Sequence, residues 1–196
     1  MRPALALAIT LVPAIAMARP ITAGVNLGVD QSKESGQSGE DPNKSFGLFG
    51  RLGLTPRLSA QVEVSKIRMP DGGAEIRSLT GLLVVDLSSS KTFVPVLLVG
   101  FGADRSSIDY GDCIACTGGA SAQSATHIEG GFGFEYRAPG GFTLGADVRM
   151  GGRSIDQSSE VVPLGETREP AIALYYPSGM QEGEYRSARL RLGIRF

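Results

Sequence analysis

The feature that most constrains this chain is the pattern of its last segment. In "EYRSARLRLGIRF", Glu184 to Phe196, the residues Arg189, Arg191 and Arg195 alternate with Leu190, Leu192, Ile194 and Phe196. Helical side chains return to one face every three or four positions, whereas a strand sends successive side chains to opposite faces. Strict alternation of charged and apolar residues therefore demands a strand with two unlike environments, one on each side.

The same period recurs along the chain and predicts eight strands: Ile21–Asp30, Ser45–Leu54, Leu58–Arg68, Ile76–Leu87, Thr92–Asp104, Thr126–Arg137, Phe142–Ile155 and Gly183–Phe196. Each is close to the roughly 9–11 residues that a tilted strand needs to cross a bilayer. In the third, Leu58, Ala60, Val62 and Val64 oppose Ser59, Gln61, Glu63 and Ser65. In the seventh, Phe142, Leu144, Ala146, Val148 and Met150 oppose Thr143, Gly145, Asp147, Arg149 and Gly151. The connections alternate too. "TPR" (55–57), "SSSK" (88–91) and "APGG" (138–141) are tight turns, and the other connections are longer and polar. A membrane meander segregates short turns to one rim and long loops to the other.

The polar faces carry too much charge for a packed soluble core, and eight strands enclose room only for side chains. The expected fold is therefore all-β: an eight-stranded antiparallel up-and-down transmembrane β-barrel, apolar side out, its interior glycines making room for Arg and Glu. "LLVV" (82–85) and "PVLLV" (95–99) break the pattern. They place Leu82, Val84, Val96 and Leu98 inward, which predicts a plugged lumen.

The N-terminus fits that destination. In "MRPALALAITLVPAIAMARP", Arg2 precedes an apolar stretch from Ala4 to Ile15, and Ala16-Met17-Ala18 forms a small-x-small cleavage site. Residues 1–18 are expected to be a signal peptide and 19–196 the barrel domain. A net charge of −1 with no run of like charge gives no footing for nucleic acid.

In its strand count, loop alternation and final "RLRLGIRF", the chain resembles the small eight-stranded outer-membrane barrels of Gram-negative bacteria, the OmpA-like and OmpX-like family, with Arg191 where the terminal segment often carries Gly. The resemblance implies a bacterial outer-membrane location, outer-membrane lipids as surroundings, and a barrel-assembly machinery that reads Phe196. It also implies termini in the periplasm and loops outside. Nothing follows Phe196 in this sequence, so a cell-wall-binding module is not expected.

The candidate functional residues are an internal charge network of Arg51, Glu63, Asp86, Glu129, Glu135, Asp147, Arg149, Arg189, Arg191 and Arg195. Burial requires these charges to pair, and Glu129 and Arg149 fall diagonally across neighbouring strands, within reach of each other. His127, the only histidine, shares a face with Glu129. The pair invites an acid–base reading, but no serine shares that face of the strand. Cys113 and Cys116, the only cysteines, are expected to form a short-range disulfide in an exported chain. Phe93, Tyr136, Phe142 and Phe196 fall at the turn end, as an aromatic girdle would.

The expected function is a non-enzymatic envelope protein, monomeric and without cofactor or metal, supporting membrane integrity or contacting an extracellular ligand through its loops. The alternatives are a narrow porin-like channel, a lipid-modifying enzyme built on His127, and a soluble ligand-binding barrel.

Overall fold

The computed structural model describes residues 20–33, 42–68, 74–90, 92–108, 122–155 and 182–196. They form eight strands: β1 (Ile21–Lys33), β2 (Asn43–Gly53), β3 (Leu58–Arg68), β4 (Ala74–Asp86), β5 (Phe93–Ile108), β6 (Ala122–Arg137), β7 (Phe142–Ile155) and β8 (Gly183–Arg195). Each pairs antiparallel with the next, and β8 returns to β1 from Thr22↔Arg195 to Lys33↔Glu184, closing the barrel. Closure leaves no sheet edge, so the ladder satisfies every strand's backbone from within the sheet, as a bilayer requires. The expected signal peptide and the two cysteines lie outside the described residues.

The expected strands are all present. Several run further than expected, and always towards the long connections: β1 reaches Lys33, β2 starts at Asn43, β5 reaches Ile108 and β6 starts at Ala122. Alternation of apolar and polar residues fades there because both faces are polar. The backbone ladder needs no such contrast and continues.

At the other rim the turns are tight. Thr55 Oγ1 accepts hydrogen bonds from the amides of Leu58 (2.9 Å) and Arg57 (3.3 Å), folding "TPR" back on itself. In "APGG", Gly141 sits at φ +84°, where a Cβ would be strained, and its N–H donates to Ala138 O at 3.1 Å.

Orientation follows from burial. Leu190 is 59% exposed and Phe132 39%, while Glu129 is 2% and Arg189 6% exposed. The apolar face is therefore outside, which overturns the soluble ligand-binding alternative, whose leucines would form an enclosed core. On β7 the belt runs from Phe142 to Met150. That is about 26 Å along the strand and about 20 Å along the barrel axis at the usual tilt. This suits the thin hydrocarbon layer of a bacterial outer membrane. Phe93, Tyr136, Phe142 and Phe196 are all exposed at the turn end, with Phe93 stacked on Phe134 at 5.3 Å between centroids.

Leu82, Val84, Val94, Val96 and Leu98 cluster inside the barrel on the β4–β5 wall, with Val84 directly opposite Leu98. The inward apolar residues of those strands thus form one half of a filled interior. A second apolar cluster, Ile67, Ile76 and Ala125 with Ile155 against it, sits inside near the long-connection end.

Candidate functional site

The other half of the interior is ionised. At its centre is Arg149, whose side chain is fully buried. Its guanidinium donates to Glu63 through both Nη atoms (2.9 and 2.8 Å), to Glu129 (2.7 Å) and, through Nε, to Asp147 (2.5 Å). Glu63 also accepts from Arg189 Nη1 (2.5 Å) and Gln61 Nε2 (2.5 Å), so both of its oxygens are used. Arg191 Nε lies 2.8 Å from Asp147, and Arg189 lies 3.7 Å from Asp30.

Towards the turns, Arg51 donates to Glu135 (2.6 Å) and Gln61 (2.6 Å). Arg137 bridges Glu135 (2.7 Å) and grips Asp86 with two bonds (2.7 and 3.0 Å). Gln61 thus joins this group to the centre.

The expected internal charges come together in this network, with one correction. Arg195 has the inward parity, but it is exposed at the end of β8 and forms no ion pair among the described residues. The strand ends there, and no described residue walls the side chain in.

Small residues make the packing possible. A Cβ on Gly131 would lie 2.6 Å from Val148 O and 2.8 Å from Arg149 Cγ, and one on Gly102 would meet the His127 ring at 2.5 Å. Inward glycines on β5 and β6 therefore open the space that the adjacent long side chains fill.

His127 marks the end nearest the long connections. It does not pair with Glu129, its neighbour along the strand. Its Nε2 lies 3.1 Å from Thr80 Oγ1 on β4, and its Nδ1 lies 3.2 Å from Asp104 Oδ1 on β5, without hydrogen-bond alignment. Arg153 donates to Asp104 (2.7 Å) and stacks over the Tyr185 ring (5.2 Å to its centroid). Tyr185 in turn donates to Glu129 (2.8 Å) and so connects this group to Arg149.

Thr80, His127 and Asp104 are the residue types of a nucleophile–base–acid triad. Thr80, however, is 2% exposed and its hydroxyl is shared with Ser78 at 3.4 Å. The group that would attack a substrate is thus engaged and shielded.

Thr80, Asp104, Arg153, Tyr185 and Asp30 were missed by sequence reasoning, although parity was available to find them. Asp104 has the parity of Val96 and Leu98, and Arg153 that of Arg149. Which strand lies beside which is legible, because a meander pairs neighbours. The obstacle was that side chains such as Arg149 span the lumen to strands far round the wall.

No protein-family model and no curated protein matches the chain. Solved structures do. Neisserial surface protein A superposes with a TM-score of 0.62 at 14% identity, covering 89% of this chain and 95% of that one. The attachment invasion locus protein Ail of Yersinia pestis gives 0.56 at 13%, covering 92% and 100%. The N-terminal barrel domain of Pseudomonas aeruginosa OprF gives 0.52 at 11%, covering 89% and 97%. At such identities the shared property is architecture: this chain has the fold of the small eight-stranded outer-membrane β-barrels.

Proposed function

We propose that the chain is a non-enzymatic barrel of a bacterial outer membrane, holding its long connections at the cell surface and supporting envelope integrity or surface contact. The observation that carries this is the filling of the lumen. Arg149, Glu63, Glu129 and Asp147 neutralise one another across the interior, and the β4–β5 wall packs the remainder with aliphatic side chains. A barrel closed in this way is a rigid peg. Contact with an extracellular ligand then falls to the long connections. Among the neighbours, Ail of Yersinia pestis has been solved in complex with the heparin analogue sucrose octasulfate, a property of that protein. Phe196, exposed at the end of the last strand, is the residue proposed to be read by the assembly machinery.

The test is electrical. The mature chain inserted into planar bilayers is expected to be silent, and steady unitary conductance would sink the closed-peg reading. A narrow hydrated path is the second reading. It is favoured by Asn26 Nδ2, Ser187 Oγ and Arg189 Nε, buried atoms along the β1–β8 wall with no hydrogen-bond partner among the described residues. Conductance that rises in Arg189→Ala but is absent from the parent would place the closure at that wall.

A further inference from the structure

The outward faces change character at one height. On each strand the apolar positions end towards the long connections, and polar ones follow. Across β2 to β5 these are mostly cations. Lys66, Arg77 and Arg105 are directly opposite one another on three adjacent strands (Lys66↔Arg77, Arg77↔Arg105), and Lys44 is directly opposite Arg68 one row further out. Like charges in register across a ladder repel. Neighbouring strands are about 4.8 Å apart, so the row from Lys66 to Arg105 spans about 10 Å.

Among the described residues, one carboxylate forms ion pairs with them. Glu75 is bridged to Lys66 and, at 3.1 Å, to Arg77. Lys44, Arg68 and Arg105 form no ion pair among the described residues. At the same height on the remaining strands the outward residues include Ser124, directly opposite Arg105 on β6, then Thr126, Gly152 and Ser154, and Arg186 is accompanied by Glu184. The outward positions at the turn end, such as Leu54, Leu87, Phe93 and Phe142, carry no charge. The positive sector is therefore confined to one rim and one half of the wall.

We infer that this sector, Lys44, Lys66, Arg68, Arg77 and Arg105, binds the phosphate groups of a phosphorylated lipid headgroup in the outer leaflet, fixing the barrel's depth and orienting one half of its wall towards such lipids. This rests on the membrane-spanning reading above. A lipid is favoured over a soluble polyanion by position. The cations stand directly above Val64 and Leu79 and, past Ala103, above Phe101 on the same outward faces, where acyl chains lie below and headgroups beside. Phosphate also relieves the repulsion that the in-register row creates.

The test uses the mature chain in phosphatidylcholine vesicles, with and without bis-phosphorylated lipid A, and reads the temperature at which the folded gel band is lost on heating. Lipid A should raise that temperature by about 5 °C, the shift expected for a ligand well above its Kd on a chain of this size. Dephosphorylated lipid A should not. The triple variant Lys66→Gln, Arg77→Gln, Arg105→Gln should lose the shift, yet be at least as stable as the parent in phosphatidylcholine alone, an outcome that a merely structural role would reverse. Arg186→Gln should retain it. An equal shift in the triple variant, or with dephosphorylated lipid A, would overturn the proposal. So would a shift reproduced in plain vesicles by a soluble polysulfated sugar, which would reassign the sector to a soluble polyanion. If no folded band formed even in phosphatidylcholine, the membrane reading would fall and this proposal with it. A folded band indifferent to phosphate would remove this proposal alone.

Discussion

At the scale of single residues, Arg149 decides the most. It is fully buried and engages three carboxylates. Truncating one partner of a buried ionic cluster leaves the others desolvated and unpaired, at a cost of about 3–5 kcal/mol. Arg149→Ala is therefore expected to destabilise the barrel by that order, measured as the urea midpoint of refolded protein in lipid vesicles. Exposed Arg195→Ala, which was expected to share the same interior, should change the midpoint little. Equal effects of the two substitutions would mean that the central cluster contributes nothing beyond generic charge. Glu63 uses both of its oxygens, and its neighbours Arg189 and Gln61 are held by it in turn, so energies measured one residue at a time will not add across this group.

At the scale of the strand, each element presents two surfaces that tolerate opposite chemistry. Val148, outward on β7, is 60% exposed inside the belt, one outward position from its midpoint at Ala146, and lies between two inward residues of the network, Asp147 and Arg149. An arginine on the lipid face near the midplane costs about 2–4 kcal/mol. Val148→Arg should lower the folding free energy in vesicles by that amount. The same change at Ser154, on the same strand and face but beyond the belt, should be close to neutral. A Val148→Arg protein as stable as the parent would put the belt somewhere else. β4 and β5 show that a strand can be apolar on both faces and remain in the barrel, because their inward aliphatic residues pack against each other across the pair (Val84↔Leu98).

At the scale of the whole molecule, the continuous ladder from β1 round to β8 makes the barrel one cooperative unit with no free edge. The folded cylinder should therefore survive detergent without heating and migrate faster than the boiled chain on a gel. Identical migration before and after boiling would contradict closure. The asymmetry between rims belongs to this scale as well: tight turns and aromatic residues at one end, basic outward residues and the long connections at the other.

The alternating residues determined on their own that there are eight strands, which face is apolar on every strand but β4 and β5, and which connections are short. A period of two is a local property, set by the geometry of consecutive residues. The same parity placed Arg51, Glu63, Glu129, Asp147, Arg149, Arg189 and Arg191 in the lumen. It failed for Arg195, because parity does not register where the wall stops. The pairing of Glu129 with Arg149 across the β6–β7 hairpin was legible from the short turn between them; the closed tertiary structure decided the other partners. Arg149 reaches Glu63 on β3 across the interior, His127 meets Thr80 and Asp104 in place of Glu129, and three cations line up across β3, β4 and β5. These pairings depend on barrel curvature, strand register and side-chain reach, which relate residues far apart in the chain and leave no trace in the order of their neighbours.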